Sequence, residues 1–185
     1  MKKGEWKMGI RIVEDKLFLM NTNSTTYAFF KDEEEILVHL YWGKKITREK
    51  DFNVNTMEGE QGYHPNIDKK REECSSFGCM RYKETSFKIT FSDGTRDYRY
   101  RVKDFKTEGN HLTIITEDIY YKVQVILHYV VHEELDIIEK WREIRNIGEE
   151  TIEIERFFSG EFTLPGDSYR TINNNGTWAD EFKAY

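Results

Sequence analysis

The chain has 185 residues, of which 38% are hydrophobic and 34% charged, and its formal net charge is -6. That length supports one packed domain with its own core, and no run is apolar enough to span a bilayer. Acidic and basic residues are interleaved, so the clustered positive charge that a nucleic-acid binder needs is missing.

MKKGEWKMGIRIVEDK at the N-terminus has basic residues but no uninterrupted apolar run behind them. No secretory signal is expected there, and a cytoplasmic location follows. IRIVE, KLFLMN, TTYAFF and EILVHLYW then succeed one another from Ile10 to Trp42, separated by short polar breaks at Glu14-Asp15 and at Asn21 to Ser24. They read as successive antiparallel strands. Lys44 to Phe77, about thirty residues, is aperiodic and too long for an ordinary connection, which predicts a mobile or functional loop. Cys74 and Cys79 lie in CSSFGC, without the second ligand pair that a structural zinc site requires, so reduced thiols are expected.

SFKITF and YRYRVKDF flank Ser92-Asp93-Gly94-Thr95, and Asp-Gly between two such runs predicts a hairpin with a tight type I′ turn. HLTIITED and IYYKVQVILHYVV continue the strand pattern, with Tyr121, Val123, Val125, Leu127, Tyr129 and Val131 on one face at period two. Residues 133–146, EELDIIEKWREIRN, are composed of good helix formers, and Leu135, Ile138 and Trp141 stand near helical spacing. As a strand the segment would pair with TIEIERFF through the Asn-Ile-Gly-Glu turn; the strand reading is favoured, because a helix would stand isolated in a β chain. Aromatic residues make up 15% of the chain, which suits half-buried strands. The chain closes on TINNNGTWADEFKAY, in which an Asn/Gly turn precedes Trp178, Phe182 and Tyr185 as though a further strand were beginning.

No nucleophile elbow, phosphate-binding glycine loop, dinucleotide fingerprint or His-Glu-x-x-His occurs. His128 and His132 would share a helix face, but on a strand they stand roughly 13 Å apart, too far for one ion. The carboxylate runs DEEE, MEGEQ and REE read as solvated faces or turns, with no acid/base pair among them. No catalytic residue, metal site or cofactor is expected in this chain.

LFLMNTNSTTYAFFKDEEEILVHLYWGKKI resembles the opening of bacterial α-galactosidases of glycoside hydrolase family 36, with His39, Tyr41, Trp42 and Gly43 matching the family's His-x-Tyr-Trp-Gly signature. REECSSFGCMRY is similar to its Glu, aromatic-Gly and Arg cluster, and FSDGTRDYRYR to its Asp-Gly-Ser hairpin. The segment from VILHYVVH to PGDSYR resembles its long paired strands, and NNGTWADE its Gly-x-Trp-x-x-Glu. The resemblance implies an all-β fold, an antiparallel β-sandwich forming part of a galactose-mutarotase-like β-supersandwich. Residues 1–185 would then be an incomplete N-terminal domain that supports a catalytic barrel absent from this chain.

The family's members are retaining hydrolases of terminal α-galactosides whose nucleophile and acid/base are both aspartates of the barrel. No residue here inherits a catalytic role, and the resemblance implies a parent that assembles as a homo-oligomer, a tetramer in the family. Two departures stand out. Cys79 and Met80 alone separate Gly78 from Arg81, where the family carries an Asp, and GNHLTIITED follows where the family inserts a Gly-Leu-Pro segment. Substrate preference, galactose or N-acetylgalactosamine, hydrolysis or transfer, is thereby left open. Tyr41 and Trp42 are a candidate sugar platform or, preferably, core and rim packing at the end of a strand, and Trp42 is the candidate substrate contact of the two. Arg81 is a candidate for a substrate hydroxyl or, preferably, for an ion pair with Glu73. A stand-alone carbohydrate-binding or interaction module is the alternative function.

Overall fold

A computed structural model of the chain describes residues 9–47, 52, 70–164, 168–170, 172, 174–177 and 180–184. β1 (Gly9–Val13), β2 (Leu17–Asn21), β3 (Thr25–Lys31) and β4 (Leu37–Lys44) form an antiparallel meander in that order, as the sequence leads one to expect. The turn between β1 and β2 has Glu14 and Asp15 at φ 51° and 52°, closed by Lys16 N donating to Val13 O at 3.0 Å. Two consecutive positive φ values are the type I′ geometry that matches strand twist.

After β5 (Phe87–Phe91), a second meander comprises β6 (Tyr100–Glu108), β7 (His111–Asp118), β8 (Val123–His132) and β9 (Ile137–Asn146). Between β8 and β9 stands a single 3-10 turn, Glu133–Leu135, the one helical piece among the described residues. Residues 133–146 are therefore mainly strand, since β9 pairs with β8 along its whole length, from Val123↔Asn146 to His132↔Ile137. β10 (Ile152–Phe157), β11 (Asn174–Thr177) and β12 (Asp180–Ala184) complete the order.

The two meanders bury their facing sides in one core, with Phe18, Met20 and Phe29 from the first and Leu112, Ile114, Val125, Leu127 and Tyr129 from the second. This is an antiparallel β-sandwich, and the period-two face of β8 is buried as read from Val123 to Val131. β2 is buried on both faces. Leu17, Leu19 and Ala28 on the far side of the first sheet are covered by Phe52, itself 7% exposed, with Tyr41 and Ile46 against them.

Three expectations are corrected. The chain does turn at Ser92 to Thr95, but only Gly94 has positive φ (83°), and a three-residue loop closes through Gly94 N to Phe91 O and Phe91 N to Thr95 O. β5 and β6 then diverge: β5 pairs with β10, and β6 with β7. The same pairing removes β10 from β9, so TIEIERFF is not the hairpin partner of residues 133–146. The third concerns the connection from Lys44 to Phe77, whose last part is packed and not loose. Glu72, Glu73, Cys74, Ser75 and Ser76 are all buried. His39 N donates to Arg71 O and Glu73 N to Leu37 O on the β4 side, and Phe87 N donates to Ser75 O on the β5 side. Residues 48–51 and 53–69 of that connection lie outside the described residues, as does Trp178.

Candidate functional site

β4 positions the site through one irregularity. Ala28 pairs with Tyr41 and Phe29 with His39, leaving Leu40 as an extra residue on β4. Such a bulge resets the alternation of the strand. His39 and Trp42, three residues apart, would face opposite ways on a regular strand. Here both lie against Tyr27, with ring centroids 5.1 Å and 6.3 Å away, while Leu40 and Tyr41 pack on the other face.

Beneath them lies a buried ionic network centred on Glu73, whose side chain is 1% exposed. Its carboxylate accepts from Tyr27 Oη at 2.6 Å, Tyr129 Oη at 2.8 Å and Lys140 Nζ at 2.7 Å, with His39 Nδ1 at 3.3 Å. Burial alone would raise the Glu73 pKa, but the charge of Lys140 and the hydrogen bond and charge of His39 outweigh it and hold the carboxyl well below the usual range. Tyr27 and Tyr129 are pushed the other way, first by burial and then by the Glu73 charge, so both phenols stay protonated and donate. Lys140 Nζ also donates to Glu161 O at 2.9 Å. Arg142, two residues along β9 on the same side, donates to Glu73 O, to Ser86 Oγ at 2.8 Å and to Phe158 O at 3.3 Å. Glu73 thus links the first sheet to the edge of the second.

A cleft opens above this network. Trp42, 41% exposed, and Phe162, 57% exposed, flank it with centroids 6.0 Å apart, and Lys140 Nζ sits 5.0 Å from the Phe162 ring. Thr25, Ile138 and Asp136 close the far side. Asp136 clips the two sheets together there: its Oδ1 accepts from Thr22 Oγ1 at 2.7 Å and from Ser24 N at 2.6 Å, and Asn23 N donates to Glu133 O at 2.9 Å. The hydrogen bond from Thr22 is the main reason its pKa lies below the ordinary value. The open volume is about 60 Å³, against roughly 300–1,000 Å³ for a pocket that encloses a small molecule. The cleft does not enclose a sugar by itself.

Trp42 therefore lines the cleft, but Arg81 does not. The expected pair with Glu73 is absent: Arg81 Nε and Nη2 form a bidentate pair with Glu72, both at 2.8 Å, and Lys83 Nζ stands 3.1 Å from the same carboxylate. Glu72 and Glu73 are adjacent on an extended segment and point to opposite sides, so Glu73 is held by Lys140 while Arg81 takes Glu72. The Arg81 side chain is 1% exposed, and Glu72 keeps its pKa above the ordinary value against the effect of burial. Before it the chain runs through Gly78, Cys79 and Met80, all at positive φ, a turn in which the Asp97 carboxylate accepts the Cys79 N–H. A Cβ at Gly78 would collide with Asp97. Cys74 is buried and Cys79 part-buried, and both are free thiols.

The comparisons with known proteins agree with this architecture. The profile described as "Glycosyl hydrolase family 36 N-terminal domain" matches residues 35–185. The chain belongs to that family. The bifunctional alpha-galactosidase/sucrose kinase AgaSK of Mediterraneibacter gnavus is 27% identical, over 80% of this chain and 20% of that protein. Among solved structures, the alpha-galactosidase from Lactobacillus brevis superposes with a TM-score of 0.84 at 20% identity, covering 95% of this chain and 28% of the other. The galactosidase domain of AgaSK gives 0.69 at 23% identity, over 82% of this chain and 25% of that one. The family 36 N-terminal chain thus spans between a fifth and three tenths of the length of these relatives.

Proposed function

We propose that this family 36 domain is the non-catalytic N-terminal portion of a retaining α-galactosidase that hydrolyses terminal α-galactosides. It supports the catalytic barrel and the assembly of a homo-oligomer in the cytoplasm, and neither nucleic acid nor membrane is a partner. The observation that carries the reading is the state of the carboxylates at the cleft. A retaining glycosidase needs two carboxyl groups about 5–5.5 Å apart, one free to attack and one to exchange a proton. Glu73 is buried beneath its four partners, and Asp136 is engaged at Oδ1 in joining the sheets. Among the described residues that line the cleft, Asp136 is the one carboxylate.

A supporting role also accounts for the apolar surface. Ile154, Phe158, Phe162, Leu164, Tyr169 and Ile172 are each between 45% and 60% exposed along one stretch of chain. Exposed large apolar side chains in that number suit a contact surface, and the occupant proposed here is the remainder of the parent protein. Incubation of the 185-residue chain with an aryl α-galactoside should release no nitrophenol above background, whereas the whole parent should release it. Heat-labile release by the chain alone would refute the assignment.

The exposure of Trp42 beside Phe162 favours a second reading, a stand-alone sugar-binding module with the two rings as its platform. Saturable galactoside binding by the isolated chain, removed by Trp42→Ala, would favour that reading over the first.

A further inference from the structure

On the outer face of the second sheet, on the opposite side from the cleft, two imidazoles meet. His111 begins β7 opposite Val130, and His128 lies on β8 opposite Thr113, two residue pairs along the ladder and so on the same face. His111 Nε2 and His128 Nδ1 are 3.1 Å apart. Trp141 of β9 floors the pair, stacked on His128 with centroids 4.7 Å apart and planes 6° from parallel, and 5.3 Å from His111.

We propose that His111 and His128 form a two-imidazole site for a divalent transition cation, of the class of Zn²⁺, Ni²⁺ or Cu²⁺, with solvent completing the coordination. Nitrogens bonded at about 2.0–2.1 Å to one ion and 3.1 Å from each other subtend roughly 95–100° at it, between the octahedral and tetrahedral angles. Imidazole is a ligand suited to these ions. The third strand supplies the outer shell. Glu143 Oε2 lies 3.6 Å from His128 Nε2, a buried nitrogen with no closer partner. Glu143 Oε1 is meanwhile held by Arg145 at 2.6 Å. A carboxylate on that side favours the proton on Nε2, the tautomer that turns the Nδ1 lone pair toward His111, as outer-shell carboxylates do for metal-ligating histidines. On binding, the His111 proton resides on Nδ1, freeing Nε2 for the ion. Thr113 Oγ1, 3.4 Å from His111 Nε2, borders the same space. Among the described residues no third His, Cys, Asp or Glu joins the pair, so the ion is held at an open site on the sheet surface.

The test is Zn²⁺ added to the 185-residue chain, read by long-range ¹H–¹⁵N spectra of the histidine rings. Near one equivalent, the ring nitrogens of His111 and His128 should shift while those of His39, His64 and His132 stay in place. In parallel, Cu²⁺ should quench Trp141 emission at one saturable site. His111→Gln should abolish that site, Glu143→Gln should weaken it about tenfold, and His132→Gln should leave it unchanged. No ring shift at ten equivalents, shifts shared evenly by all five histidines, or quenching indifferent to His111→Gln would each overturn the proposal. The ring spectra of the unmodified chain decide between binding and no binding even where a variant fails to fold.

Discussion

Glu73 concentrates the risk in this structure, because one carboxylate satisfies two phenols, an ammonium and an imidazole across the sandwich. Removing one side of such a buried pair leaves its partners uncompensated, so Glu73→Gln should destabilise the chain by about 3–5 kcal/mol near neutral pH. The pH dependence has a definite sign. The folded-state pKa of Glu73 is depressed, so its contribution is complete above the unfolded value of about 4.3 and declines as pH falls from there toward the folded value. Denaturant unfolding of both proteins should therefore show a gap that is constant above pH 5 and narrows below pH 4; a gap that widens in acid would contradict the assignment. Little of this is legible in the sequence. Trp42 stands out there and does line the cleft, whereas nothing local tells which of two adjacent acids Arg81 takes. The overlooked signal lies in β9. Its inward positions are Ile138, Lys140, Arg142 and Ile144, opposite Val131, Tyr129, Leu127 and Val125, and two cations on a face that should be apolar call for a buried anion. Inward charges on an edge strand also discourage pairing with other chains.

At the scale of elements, local pattern suffices wherever partners are neighbours in sequence. The first meander follows from closely spaced apolar runs and short polar breaks, β7 and β8 from period-two alternation, and the strand identity of β9 from its place in a β chain rather than from its own pattern, which is near helical. It fails where pairing is long-range. Ser92-Asp93-Gly94-Thr95 specifies a reversal but not which strand profits from it; Thr90 on β5 and Arg96 beyond the turn both donate to Glu155, the extra residue on β10. The charged cluster at Glu155, with Lys88 at 3.2 Å, fastens β5 to β10, and the hydrogen bond from Arg96 is the leading cause of the drop in the Glu155 pKa to about 2. The type I′ turn lies instead at Glu14-Asp15, where no glycine advertises it. Left-handed φ at two side-chain-bearing residues is costly, so the double change Glu14→Asn with Asp15→Gly should stabilise the chain by about 1 kcal/mol, given the preference of this turn for Asn-Gly. A rise in denaturant midpoint with unchanged slope would bear that out, and a fall would show that the turn has another geometry.

For the molecule as a whole, family membership and the sandwich are the ground on which the proposed supporting role stands, with exposed apolar side chains as its surface. Exposed Phe158, Phe162, Leu164 and Tyr169 should make the isolated chain associate as its concentration rises, visible as a concentration-dependent sedimentation coefficient; a single monomer value across a wide range would count against a contact surface there. Hydroxyl-radical labelling, comparing the dilute 185-residue chain with the whole parent protein, tests the central claim most directly. Burial of this surface against the rest of the parent predicts strong labelling of Phe158, Phe162, Leu164 and Tyr169 in the chain and severalfold protection of all four in the parent. Equal labelling of these residues in both proteins would contradict the account.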